Sequence, residues 1–228
     1  MDQAFSQLID DAAKIATSGR WNALTDRLKE MADSPAPDNV WFVQLFMALC
    51  SKVFSEYLLL KQAYEEGNAK DVSLLAWRAR NLMELSIWAV YCARSRKNAR
   101  RLYEDAGRDV TGGFGAFKKW GEATAQDAEW FASGVTALQS LSNSAQAAGI
   151  ESLTGSFVEV REAVKQTGFE HHFKLYNKFL SKFCHPTAIQ ILSTPDEAMQ
   201  AVLRDTFFSQ GCLFFTGAFT ALEQYHAS

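Results

Sequence analysis

An all-α fold is what this sequence predicts, and three observations predict it. Only four prolines occur, at positions 35, 37, 186 and 195, so residues 38–185 run without one. Proline has no amide to give the helical hydrogen-bond ladder and its ring clashes with the preceding turn, so a stretch this long without it leaves helices uninterrupted. Alanine (32) and leucine (22) far outnumber valine (11) and isoleucine (6), a bias toward residues that lose little freedom in a helix. A hydrophobic fraction of 48% over 228 residues is enough to bury a real core and excludes a disordered chain.

The elements follow in chain order. Two short amphipathic stretches, about 2–17 and 21–32, come first; Ser34-Pro35-Ala36-Pro37 then makes the clearest break. The expected organisation is a small helical hairpin, residues 1–37, packed on a main helical bundle, residues 38–228. In the body the pattern predicts helices at about 39–66, 71–96, 98–106, 114–130, 131–147, 152–166, 168–185 and 195–226. Thr194-Pro195-Asp196-Glu197 reads as a helix start, with Thr194 as N-cap, proline at the first helical position and Glu197 three residues after the cap. Thr111-Gly112-Gly113-Phe114-Gly115 reads as a turn between helices. It is not the phosphate-cradling G-x-G-x-x-G, because Lys118 stands where the third glycine belongs and no strand precedes it.

Composition narrows the function classes. A net charge of −3 and a pI near 5.8 exclude binding to nucleic acid by bulk charge. Cys50, Cys92, Cys184 and Cys212 lie far apart with no C-x-x-C pairing, and read as reduced core thiols of a cytoplasmic protein. The start, MDQAFSQLIDDAAK, lacks the basic and long apolar regions of a secretory signal. The phenylalanine-rich uncharged run at residues 206–222 falls just short of the roughly 18–20 residues a membrane span needs, so it reads as a buried helix. Its phenylalanines Phe207, Phe208, Phe214, Phe215 and Phe219 are expected in the core, with a homo-oligomer interface as the alternative.

One helix carries charges where apolar residues are expected. At about 100° per residue, residues 77–91 are apolar nearly all round, yet Arg80 and Glu84 sit one turn apart among the aromatic side chains. Burying an ion pair costs several kcal/mol per ion before any attraction is recovered, so these two are expected in the interior either as structural glue or as a site. The helix ending at His185 gives a second signal. Phe173, Tyr176, Phe179, Leu180 and Phe183 form its apolar side, while His171, Lys174, Lys178, Ser181, Lys182 and His185 share the opposite, cationic face. Pro186 disfavours helical geometry at His185, so the histidine is expected at the helix C-terminus, where the dipole favours its protonated form.

Together, Arg80-x-x-x-Glu84 and Tyr176-x-x-x-x-Ser181-x-x-x-His185-Pro186 resemble a family of bacterial helical proteins of unknown function, whose members pair an R-x-x-x-E helix with an S-x-x-x-H helix. The resemblance spans residues 40–220 and implies a bundle in which those two helices pack together; no activity comes with it. More remotely, the second motif is similar to the HEPN superfamily, whose ribonucleases carry an arginine and a histidine four to six residues apart on one helix. Here Lys178, Phe179 and Leu180 hold the positions where that arginine belongs, so the motif is broken.

If Arg80, Glu84, Ser181 and His185 form a catalytic centre, His185 is the general acid or base. Glu84 orients its ring, Arg80 stabilises an anion and Ser181 is a hydrogen-bond partner. Phosphate or nucleic-acid contacts would fall to Arg96, Arg100, Arg101 and Lys178. The first three belong to a run of five basic residues in eight positions, from Arg94 to Arg101, that also reads as a solvated helix end. No metal or other cofactor is expected: Glu223-x-x-His226 is the one Glu-x-x-His pair, and the bundle di-iron pattern needs two. RNA is the possible partner, and a second copy of the chain the other.

Overall fold

Ten α-helices and no strand are found among the residues described by the computed structural model, namely 3–33, 38–66, 72–124, 128–147, 150, 157–185, 187–192 and 196–225. The all-α expectation holds. Three long apolar helices form the centre: α3 (Asp38–Glu66), α4 (Val72–Arg94) and α10 (Glu197–Gln224). α10 packs on α4 along most of its length and α3 covers both. Aromatic stacking fills the space between them. Tyr57 lies on Phe215 with centroids 4.1 Å apart, and Tyr64 lies on Phe208 at 4.0 Å. Such pairs add about 0.5–1.5 kcal/mol each beyond the area they bury.

The remaining helices sheathe this centre. α1 (Gln3–Thr17) lies on α10 and α2 (Arg20–Ala32) on α3, and Ala12, Ile15, Leu24 and Leu28 join the common core. Trp21 pins α2 by stacking on Phe54 at 4.8 Å and on Phe219 at 5.3 Å. α5 (Arg96–Thr124) starts beside α4 and α3, and α6 (Ala128–Ala147) makes its main contacts with α5. α7 (Val160–Thr167) and α8 (Glu170–Cys184) return to α4, and the short α9 (Ala188–Leu192) precedes α10.

Residues 206–222 form part of a core helix: Phe207, Phe208, Phe215 and Phe219 are at most 4% exposed, so they fill this chain's own interior. Asn39–Glu66, most of α3, is long and apolar enough to cross a membrane by length and composition. That stretch packs against α2, α4, α5 and α10. Cys50, Cys92 and Cys212 are buried and Cys184 is half-buried, all as free thiols.

The structure corrects four sequence expectations. The glycine run at 111–115 is not a turn: it lies inside α5, and none of its glycines has a positive φ. Each helical glycine costs about 0.5–1 kcal/mol relative to alanine. Arg100–Glu104 and Arg108–Glu104 pairs one turn apart, and α6 packed alongside, offset this. The break between α4 and α5 falls at Ser95, whose hydroxyl caps α5 by accepting from the Asn98 amide at 3.1 Å. α10 is capped by Asp196, whose carboxylate accepts from the Met199 amide at 2.8 Å; the Thr194 and Pro195 assigned to that start lie outside the described residues. A separate α9 was not anticipated. The Ser34-Pro35-Ala36-Pro37 break, Pro186 and His226 also lie outside the described residues.

Candidate functional site

α4 is apolar on most faces and α8 is amphipathic, so α8 lays its Leu180 side on α4 and turns its lysines outward. The helix bearing Arg80 and Glu84 therefore packs against the helix bearing Ser181. Along their seam the Arg80 Nη2 donates to Glu84 Oε1 at 2.7 Å. The two side chains keep 26% and 30% of their exposure, so the pair is half-buried rather than interior, which corrects the expectation of two charges drawn into the core. The Arg80 Nε is buried and finds no hydrogen-bond partner among the described residues. Cys184, on the last turn of α8, lies close enough to feel both charges. Burial pushes its thiol up, Arg80 pulls it down and Glu84 raises it again.

His185 follows as the C-cap of α8, in extended geometry with φ −125° and ψ 152°. Its side chain is exposed, and its carbonyl accepts from the Thr187 amide at 2.7 Å. The Thr187 hydroxyl donates to the Lys182 carbonyl at 2.9 Å and closes the helix end. Ser181 uses its hydroxyl on the Lys178 carbonyl at 3.2 Å, and Lys178 itself is exposed. Among the described residues no hydrogen bond or ion pair joins His185 to Arg80, Glu84 or Ser181. The helices meet, and in this arrangement the Glu84 carboxylate is paired with the Arg80 guanidinium of its own helix.

Three cations of the basic run, Arg96, Arg100 and Arg101, are engaged within the chain. Arg96 donates to Asn39 Oδ1 at 3.1 Å and lies over the Trp41 and Phe42 rings at 5.5 and 5.1 Å. Arg100 pairs with Glu104 at 3.0 Å and covers Trp41 at 5.2 Å, while Arg101 faces Glu162 at 3.6 Å. Arg96 and Arg100 thus dock α5 onto the start of α3, and Arg101 reaches α7. His171 and His172 hold their rings 6.1 Å apart, nearly perpendicular, and no group of three or more metal-ligating side chains occurs among the described residues.

The chain matches no protein-family model, no curated protein and no solved structure.

Sequence reasoning missed a cavity of about 340 Å³ between α4, α8 and α10. Met83, Ile87, Phe173, Tyr176 and Phe214 form much of its wall. Phe173 and Tyr176 were legible as the apolar side of α8; that they border empty space was not. The available signal was Gly217, a glycine inside an uncharged helical run. A Cβ added there meets nothing within 4 Å, whereas one on Gly211 meets Leu60 Cδ2 at 2.2 Å.

Proposed function

We propose that this chain is a non-enzymatic, cytoplasmic helical-bundle protein that works by binding, with Arg80 and Glu84 acting as a clasp on the α4–α8 seam. The observation that carries this reading is the division of the four motif residues. Glu84 is taken by Arg80 at 2.7 Å, Ser181 is turned back on its own helix, and His185 stands exposed at a helix end. General acid–base chemistry needs its donor and acceptor within hydrogen-bond reach of one reacting atom, and among the described residues His185 makes no hydrogen bond or ion pair with the other three. An RNA-cleavage assay tests it: the chain and its His185→Ala variant should both leave RNA intact. Cleavage by the wild type that disappears in the variant would replace this reading with the catalytic one.

The alternative is a HEPN-like ribonuclease or RNA-binding factor of a defence or toxin system. The packing of α8 on α4 favours it, since that brings Cys184, the neighbour of His185, within electrostatic reach of Arg80. Binding to RNA in this alternative is salt-sensitive and is lost in an Arg96→Ala, Arg100→Ala double variant.

A further inference from the structure

We infer that the cavity between α4, α8 and α10 is a binding site for a small, neutral, mainly apolar molecule bearing one hydroxyl or similar hydrogen-bonding group. Its volume of about 340 Å³ is near the lower end of the range for small-molecule sites, roughly 300–1,000 Å³. It is also more than twice the ~150 Å³ in which an engineered apolar cavity holds benzene. A molecule of two fused rings or a medium-length alkyl chain fits that space.

The lining sets the chemistry. Met83, Ile87, Val90, Phe173 and Phe214 are apolar, and among the described residues no lysine, arginine, aspartate or glutamate lines the cavity. A charged group moved into such a lining loses its hydration and meets no fixed counter-charge, the His172 imidazole being the one basic side chain there, so a neutral ligand suits it best. Polar capacity is small. Ser86 already donates to the Met83 carbonyl at 2.7 Å and has only lone pairs left to offer. The Thr216 hydroxyl is buried with no partner among the described residues, and His172 and Tyr176 supply the remaining polar atoms. One hydroxyl on the ligand suits this set; a carboxylate does not.

Two features of the chain keep the mouth open. Gly217 sits mid-helix in α10, where glycine weakens the helix, and no neighbour demands its small size: a Cβ there meets nothing within 4 Å. What its missing side chain does is leave the cavity wall clear. Gly168, at φ 79°, turns the chain between α7 and α8 in a conformation that L side chains rarely adopt, and sets Phe169 on the cavity edge. Phe169 and Leu213 remain 46% and 37% exposed there, apolar surface that an occupant would cover.

This inference is independent of the non-enzymatic reading, because none of the lining residues belongs to the Arg80, Glu84, Ser181, His185 set. The test uses the full chain and the neutral fluorophore N-phenylnaphthylamine. Its emission should rise to saturation at one site per chain, decanol should displace it, and decanoate should not. Gly217→Leu, which places a side chain in the open space, should weaken binding by roughly tenfold or more without lowering the melting temperature. Phe169→Ala, a change at an exposed position, should weaken binding several-fold and serves if the leucine variant fails to fold. Absence of saturable binding overturns the inference, as does affinity unchanged in both variants. Displacement by decanoate as strong as by decanol overturns the neutral-ligand assignment. Light scattering that shows a dimer binding no probe would make the mouth an interface between copies, and also overturns it.

Discussion

Leu60 occupies the space that a side chain on Gly211 would need, its Cδ2 standing 2.2 Å from the position of a Cβ there. This contact sets how closely α3 and α10 approach. Gly211→Ala gains about 0.5–1 kcal/mol in helix propensity but overpacks a fully buried leucine, which costs about 1–3 kcal/mol. The expected result is a net loss near 1 kcal/mol and a melting temperature lower by about 2–4 °C. In a Leu60→Ala background the same substitution should no longer destabilise, which a double-mutant cycle on chemical unfolding would measure.

Asp105 is 5% exposed and holds two elements together. Its carboxylate accepts from the Val158 amide at 2.9 Å and pairs with Arg108, which Glu104 also reaches at 3.6 Å. Asp105→Ala leaves a buried amide and a mostly buried guanidinium short of a partner, an expected loss of about 3–5 kcal/mol. Asp105→Asn keeps an oxygen for Val158 and should lose less. Denaturant midpoints of the two variants, compared with wild type, check the order.

The four thiols should divide by accessibility. Burial pushes Cys50, Cys92 and Cys212 up to about 12, so their thiolates are scarce at neutral pH and sealed in the core. Half-buried Cys184 is raised too, with Arg80 opposing the rise. A disulfide-exchange reagent should modify one thiol in the folded chain and four after unfolding, and Cys184→Ser should abolish the folded-state reaction.

Stability should fall on both flanks of the pH range. The buried thiols, and Tyr64, raised to about 12 by burial and by its hydrogen bond to Asp205, hold protons more tightly folded than unfolded. Their contribution is complete below the ordinary values of 9.0 and 10.0 and is lost as the pH climbs toward about 12. Glu223 behaves oppositely: its hydrogen bond with Arg20 lowers it from 4.5, so its contribution is present above that value and lost as acid protonates the folded carboxylate. The pair is partly exposed and contributes no more than about 1 kcal/mol. Glu223→Gln should flatten the acid limb of a stability–pH curve and leave the alkaline limb unchanged.

The fold was legible because it is written in local terms: scarce prolines, abundant alanine and leucine, and the apolar run that became α10. The α4–α8 seam was legible in part. The periodicity that grouped Phe173 and Tyr176 on one side of α8 and its lysines on the other is what directs α8 onto α4. The Arg80–Glu84 pair was legible as glue one turn apart on α4; that it keeps a quarter or more of its exposure was not, because only three-dimensional packing decides how far a neighbouring helix covers it. The glycine run in α5 misled for a related reason. Local preference there favours a turn, and the α6 packing that overrides it comes from residues further along the chain.

That override has a mechanical consequence. α5 is a rod of 29 residues, roughly 43 Å long, carrying α6 at its side. At Gly112, Gly113 and Gly115 no neighbour comes within 4 Å of where a side chain would begin. Those turns carry no bracing at their glycine positions. Their amide hydrogens should trade with solvent deuterium sooner than those of either half, and the far portion keeps its heading only while that short stretch stays wound.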